Sequence, residues 1–360
     1  MADTSQILRL LREVTHPGKG DQSIVQLGMV QDVTATEGKV VVTLAFPKQR
    51  DPLAEYLIGS ARAVLYRNLP AGVEIEVKST VVSDTKKKKE NKLGLDQLNN
   101  VAHIIGIASG KGGVGKSTVA VNLAVALARL GYRVGLADAD IYGPSVPIMT
   151  RTEGDMPEAL ESEDGGELEL ILPIEKYGVK WMSIGYFAQR GQALIWRGPM
   201  ACSALKQMIL QVQWGVLDFL LIDMPPGTGD IHISLVQEIP MEGAVIVTTP
   251  QDVALADVEK AVDMFRNDSI HKKIFGIVEN MAWFTPAELP DNKYYIFGKD
   301  GGERMAKHFG LPLLGQIPLV QSIRESGDNG EPCALSSSPD ALAFIALANE
   351  LIAQVGKEDE

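Results

Sequence analysis

The sequence predicts a doubly wound, mostly parallel α/β P-loop domain preceded by a small α+β unit. Three observations carry this expectation. From residue 101 onward, short runs rich in Ile, Val and Leu alternate with amphipathic stretches. The runs hold little charge, as strands buried on both faces of a parallel sheet do. A glycine-rich segment stands at one strand-to-helix junction, and a lysine-rich stretch separates residues 1–84 from the rest of the chain.

Within residues 1–84, Ser5–Val14 places Ile7, Leu8, Leu10, Leu11 and Val14 at helical spacing. Gly38–Lys39 punctuates two strand-like runs, Met29–Thr34 and Val40–Phe46. A helix-like stretch runs from Pro52 to Leu69, and Val73–Val82 alternates as a strand and closes the unit. Residues 85–100 include Lys86–Lys89 and read as a charged, solvated linker. In the second domain, residues 101–356, the expected strands are His103–Ser109, Arg133–Asp138, Lys180–Ile184, Leu217–Asp223, Gly243–Thr249, Ile274–Glu279 and Leu313–Ile317. The expected helices are Thr118–Leu130, Ala256–Asn267, Gly302–His308 and a final packing helix, Pro339–Val355. Residues 151–169 are acidic and glycine-bearing and read as a surface insertion; residues 357–360 read as an acidic tail.

The chain has 360 residues, 34 Lys and Arg against 46 Asp and Glu, and a formal net charge of −12. Such a surface repels phosphate backbones, so nucleic acid is not an expected partner. No window reaches the roughly 18 apolar residues of a membrane span, so no membrane is expected either. The start, MADTSQILRLLREV, carries an early acid and no basic segment, and is not read as a secretory leader. Two cysteines, Cys202 and Cys333, make no disulfide framework, and a cytoplasmic setting is expected.

The expected strand HIIGIAS ends at Ser109 and runs into GKGGVGKST, residues 110–118. Gly110, Gly115, Lys116 and Ser117 fit the Walker A spacing, which makes Gly110, Lys111, Gly112, Gly113, Val114, Gly115, Lys116, Ser117 and Thr118 the candidate ATP-binding segment. Glycines admit backbone conformations that bring successive N–H groups inward as an anion nest. The helix after the loop adds its positive dipole end. Lys116 reaches the β- and γ-phosphates, and the Ser117 hydroxyl ligates Mg²⁺. Gly110, Gly112 and Gly115 also fit the dinucleotide fingerprint, with Asp138 following 23 residues after Gly115. The pair Lys116–Ser117 decides against that reading, because a dinucleotide site requires neither residue there. Asp223 ends the apolar run LDFLLID, so a buried strand delivers one carboxylate beside the metal. Pro225, Pro226 and Gly227 then form a turn whose Gly227 N–H can sense the γ-phosphate, with Asp230 bracing it.

With Lys111 as a second lysine in the loop, GKGGVGKST resembles the deviant Walker A of the ParA/MinD-type ATPases. The resemblance implies that Lys111 acts in trans across a nucleotide-sandwich homodimer, much as an arginine finger does. It implies that Asp140, in the switch I segment LADADIYGPSVP, positions the attacking water. Asp138 supports Mg²⁺ through water or holds the loop. Lys111, Lys116 and Asp140 are thus the catalytic candidates. Asn280 takes the base-contacting position and Gln316–Ser322 the base-proximal loop. The residues themselves leave three plainer roles open: Lys111 as a solvated surface lysine, Asp140 capping the Gly143–Pro144 turn, and Asn280 capping a turn.

The phrases DADIYGPSVP, WRGPM, LLIDMPPGTGD, VIVTTPQDVAL, GIVENMAWF and FGKDGGERMA together resemble the Mrp group of iron–sulfur carrier and assembly ATPases, also called ApbC. HPGKGDQSIVQLGMVQDV followed by KVVVTLAFP resembles the MIP18-like domain that bacterial members carry first. The resemblance implies an ATP-binding and ATP-hydrolysing protein that transfers iron–sulfur clusters to apoproteins. Its partners are a second copy, apoprotein clients and an assembly scaffold. A [4Fe–4S] cluster between two subunits is implied too, held by a Cys-x-x-Cys after the ENM segment. This sequence departs there, with no cysteine between Met281 and Phe297. Three accounts stay open: ligation by Asp291, Tyr294 or Asp300; recruitment of Cys202 or Cys333 at a dimer interface; or assembly work without a held cluster. Competing functions are a positioning ATPase acting on DNA or membrane, and a metabolic kinase or synthetase. The net charge and the acidic ending VGKEDE stand against the first, and no second-substrate signature supports the other.

Overall fold

A computed structural model describes residues 4–17, 22–27, 29–36, 38–46, 53–70, 73–81, 95–160, 170–187, 198–286, 288–289 and 291–357. The chain divides into two units, Met1–Lys92 and Leu93–Glu360. Most of the linker read at 85–100 lies outside the described residues, as do Pro52, Val82, residues 161–169 of the insertion and 358–360 of the tail.

In the first unit, α1 (Thr4–Leu11) and α2 (Ala54–Asn68) pack with a three-stranded sheet of β1 (Val30–Thr36), β2 (Lys39–Phe46) and β3 (Glu74–Val81), in the order β1-β2-β3. β1 and β2 form an antiparallel hairpin. β2 and β3 run parallel because α2 carries the chain between them. Alternation turns Val40, Val42 and Leu44 to one face, where Leu57, Ala61 and Leu65 of α2 and Ile7 and Leu11 of α1 complete the core. α1 stops short of the expected Val14, whose carbonyl accepts the Ile24 N–H at 2.9 Å instead.

The second unit is built on an eight-stranded sheet. Its strands are β4 (Val101–Ala108), β5 (Val134–Asp138), β8 (Ile174–Lys176), β9 (Val179–Ser183), β10 (Leu217–Asp223), β11 (Gly243–Thr248), β12 (Lys273–Phe284) and β13 (Leu313–Leu319). Their order is β13-β12-β11-β4-β10-β5-β9-β8. All are parallel except β8, an antiparallel edge on β9. A small hairpin, β6 (Ala159–Leu160) with β7 (Leu170–Ile171), lies in the expected insertion. Each expected apolar run is a strand, offset by a residue or two at its ends. β12 is the exception: it runs past Glu279 because Phe284 still pairs with Leu319 and bridges Tyr294. The register shift on the way passes through Met281, at φ +55°.

The helices described in this unit are α3 (Lys116–Arg129), α4 (Val146–Met149), α5 (Gly198–Leu210), α6 (Asp230–Glu238), α7 (Asp252–Arg266), α8 (Gly301–Phe309), α9 (Gln321–Asp328) and α10 (Pro339–Val355). α4, α5, α6 and α9 are not among the expected helices. α4 spans only four residues, too few for a periodic signal, and α5 and α6 start in glycine- or proline-bearing segments that read as loop. α3 is almost wholly buried, from Val119 through Leu127. Its small and branched side chains (VAVNLAVAL) let it lie close to the sheet, and α10 packs over it and β13. Among the described residues, no helix is long and apolar enough to cross a membrane.

Register positions the site. Asp223 of β10 lies beside Asp138 of β5 and beside Ile107 of β4. Three central strands therefore end on one line, where strand order reverses around β4. That is where open α/β sheets bind ligands. Phe344, fully buried on α10, closes the far side of α3. Phe344→Ala is expected to cost the second unit about 3–5 kcal/mol. Urea unfolding followed by tryptophan fluorescence checks this, since all four tryptophans lie in that unit; an unmoved midpoint would show that α10 adds nothing to the core.

Candidate functional site

The loop between β4 and α3 is held from several sides. Buried Ser109 donates from Oγ to the Lys111 carbonyl at 3.0 Å. Gly113 and Gly115 sit at φ +84° and +78°, a region closed to most side chains. Gly115 has a second constraint: a Cβ there would stand 2.2 Å from Asn280 Nδ2. A Cβ on Gly110 would stand 2.1 Å from the Asp257 carbonyl oxygen. Lys111, Gly112 and Gly113 form the exposed rim, Val114 turns inward, and Ser117 and Thr118 lie in the first turn of α3. That helix start brings free N–H groups and its positive dipole end to the loop.

Beneath the loop lie three buried charges. Lys116, 6% exposed, pairs through Nζ with Oδ1 of Asp223, 0% exposed, and lies 3.4 Å from Ser117 Oγ. Asp138 is as deeply buried. It accepts the Ser183 hydroxyl at 2.9 Å and the N–H groups of Asp140 and Val146 at 3.2 and 3.3 Å. Burial, with the neighbouring Asp223 charge, pushes the Asp138 carboxyl up to about 7. Burial also raises Asp223, against the pull of Lys116. Two desolvated carboxylates thus share one lysine, and Asp223 Oδ2 has no hydrogen-bond partner. Carboxylates beside a serine hydroxyl make a hard oxygen set that fits Mg²⁺, and a cation there would let both carboxylates ionise. Asp140 is half-buried; its Oδ1 accepts the Tyr142 N–H at 3.2 Å, so it does shape its turn.

The segment after β10 is tied to the loop. Met224 N–H donates to the Ile107 carbonyl and Gly227 N–H to the Ser109 carbonyl, both at 3.0 Å. Asp230 opens α6 at the surface. Asn280, at the end of the buried part of β12, donates from Nδ2 to the Val114 carbonyl at 2.8 Å, so the structure brings it to the phosphate loop. Its neighbour Glu279 is fully buried and accepts the Gly302 N–H and Gln316 Nε2, the latter at 3.1 Å. Burial raises its carboxyl. Sequence reasoning missed Glu279, Ser183 and His232. Glu279 had a signal, as the lone charge in the apolar run IFGIVEN. Ser183 had none, because it meets Asp138 only through the β5–β9 register.

The residues considered for iron do not gather. Asp291 is exposed, Tyr294 pairs through its backbone with Phe284, and Asp300 opens α8 at φ +55°. Among the described residues, no group of three or more His, Cys, Asp or Glu is arranged to hold a metal ion. Cys202 and Cys333 are both free thiols. Burial and the nearby Asp340 push Cys333 up to about 12, while Cys202 lies half-buried on α5. Two copies would bring together four thiols, two of them sealed. A four-thiolate cluster does not fit this chain.

Residues 100–352 match the family described as NUBPL iron-transfer P-loop NTPase, and residues 4–77 match the family described as iron-sulfur cluster assembly protein. An iron-sulfur cluster carrier protein of Synechocystis is 43% identical over 357 residues, 99% of this chain and 98% of its own. The mouse iron-sulfur cluster transfer protein NUBPL is 43% identical over 267 residues, 73% of this chain and 81% of its own. Among solved structures, the nucleotide-binding protein of Archaeoglobus fulgidus in complex with ADP is 33% identical, with a TM-score of 0.60, over 71% of this chain and 96% of that one. The cell division ATPase MinD of Pyrococcus furiosus is 26% identical, with a TM-score of 0.52, over 70% and 99%.

Two expectations test this geometry. Gly115→Ala drives a methyl group into the Asn280 amide and is expected to abolish nucleotide binding by calorimetry; undiminished affinity would contradict the close approach. In the native chain, Ellman's reagent is expected to titrate Cys202 alone, with Cys333 reacting only after denaturation.

Proposed function

We propose, from the premise that this chain belongs to the NUBPL iron-transfer P-loop NTPase family, that it is an ATP-hydrolysing iron–sulfur cluster carrier and assembly protein acting as a homodimer. One observation carries the reading: the buried Lys116, Asp223 and Asp138 beneath a nest of backbone amides. Only a polyanion with its cation suits a site that offers amides and a lysine on one side and under-compensated carboxylates on the other.

On this reading the amides of residues 110–117 and Nζ of Lys116 hold the β- and γ-phosphates. Lys116 exchanges its carboxylate partner for phosphate oxygens. Ser117 and Asp223 hold Mg²⁺, with Asp138 acting through water, and the cation supplies positive charge beside the leaving group. Asp140 orients the attacking water. Lys111 is exposed on the rim, available to the phosphates of a second copy. Asn280 braces the loop near the base, with Glu279 and Gln316 behind it.

The cluster is cargo. Relatives named as carrier and transfer proteins support this, as does the iron–sulfur assembly match at residues 4–77, joined to the ATPase domain by the linker at 85–100. The chain's own thiols do not complete a cluster, so the apoprotein client or the scaffold supplies the missing ligands while ATP sets the affinity of the dimer for them. Two free cysteines support a reducing, cytoplasmic setting.

Lys116→Ala is expected to abolish ATP turnover, with circular dichroism confirming the fold; full turnover in that variant would remove the mechanism. Lys111→Ala is expected to keep nucleotide affinity and lose roughly 10³-fold in turnover, by analogy with a trans-acting arginine. Adding the chain with Mg-ATP is expected to speed anaerobic cluster delivery from a loaded scaffold to an apoprotein. No acceleration would end the cluster-handling reading and leave the ATPase reading intact.

A further inference from the structure

The turn Pro225–Pro226–Gly227 follows β10 with only Met224 between them, and it has few ways to be held. Neither proline has an N–H. Gly227 N–H is spent on the Ser109 carbonyl, at 3.0 Å. One side chain also reaches the turn. His232, in the first helical turn of α6, places Nε2 2.5 Å from the Pro225 carbonyl oxygen.

A carbonyl only accepts, so this contact puts the proton on Nε2. His232 is 3% exposed, and Nδ1 is buried with no hydrogen-bond partner. Burial disfavours the charged ring, against the pull of the Pro225 and Gly229 carbonyls, and of the two ring nitrogens only Nε2 has a hydrogen-bond partner. A bare buried acceptor is a cost that an apolar side chain of the same volume would not incur. The ring is therefore held for its Nε2–H bond. Lys116 and Asp140 both act on the ring electrostatically, with opposite signs.

Gly227 has the opposite character. Its φ is +98°, and a Cβ built on it would meet nothing within 4 Å. It has one N–H proton, which bonds either the Ser109 carbonyl or a phosphate oxygen. The change of partner requires rotation at Gly227 and a fixed point just before it.

We propose that His232 is a positioning residue for hydrolysis: its Nε2–H pins the Pro225 carbonyl so that Gly227 can swing from Ser109 to the γ-phosphate without displacing Asp223. This rests on the ATPase reading of the site. Nucleotide affinity comes from the phosphate loop and does not need the pin. The closed geometry that leads to turnover does.

Side-chain length makes the test. His232→Gln carries an amide nitrogen as far from the backbone as Nε2 and keeps the donor. His232→Asn places its nitrogen at the Nδ1 position and loses it. His232→Asn is expected to lower kcat by about 10²-fold, the scale of a misplacement of about 1 Å, with KM for Mg-ATP unchanged; His232→Gln is expected to recover most of that loss. Equal turnover in both variants, or a change confined to KM, would overturn the proposal. A second measurement stands if the Asn variant misfolds. In the full chain labelled with ¹⁵N-histidine, the His232 signal, assigned by its loss in His232→Gln among five histidines, is expected to show the Nε2–H tautomer. An Nδ1–H tautomer would overturn the pin directly. A wild-type chain without ATP turnover would instead count against the ATPase reading, which the tautomer does not test.

Discussion

Lys116 sits between a loop built to hold anions and a strand end built to hold a cation, and the second unit is organised around that one buried charge. Its partner Asp223 is fully buried, and Asp138 lies beside it in sheet register. Removing one member of such a pair leaves an uncompensated buried charge and typically costs about 3–5 kcal/mol. The surface ion pairs of this chain, such as Lys260–Asp257 and Lys307–Glu303, belong to a class worth about 0–1 kcal/mol each. The comparison decides where electrostatics matter here. The surface network adds little to stability, while removing one of the three charges under the loop leaves its neighbours uncompensated.

The segments around that charge are linked mainly through backbone. Ala139 N–H donates to the Asp223 carbonyl at 2.9 Å, Gly227 N–H to the Ser109 carbonyl, and Asn280 to Val114. The segment after β5, the turn after β10 and the phosphate loop therefore share bonds with neighbouring strands or with one another rather than merely lying close together. Gly227, free of steric neighbours, is the point where the set can give. The Glu279 carboxylate does comparable work on the other flank, tying β12 to β13 and to the start of α8.

Family and chemistry diverge at the thiols. The chain matches iron-transfer NTPases over most of its length, yet it has two cysteines, one of them sealed and held far from its thiolate form. A thiolate, not a thiol, ligates iron. The chain thus carries the residues of a nucleotide site but not the thiolates of a cluster site. On the proposed reading, two copies complete the ATPase centre and the client or scaffold supplies the cluster's ligands.

The sequence by itself determined the elements whose signal is local. Unbroken apolar runs marked the parallel strands, since both faces of such a strand are buried. The spacing of Gly110, Gly115, Lys116 and Ser117 marked the phosphate loop, since that chemistry demands those residue types in that order. The helices α4, α5, α6 and α9 were not legible: α4 is a single turn, and α5 and α6 begin at glycines and prolines, which locally signal a loop. Only the tertiary structure decided that Asp138 meets Ser183, that Glu279 meets Gln316, and that His232 reaches Pro225. The first two depend on strand register and crossover, which bring together residues 45 and 37 positions apart. His232 and Pro225 are seven residues apart, but what joins them is a bend that brings an imidazole back onto the turn that follows β10, and no periodicity encodes that.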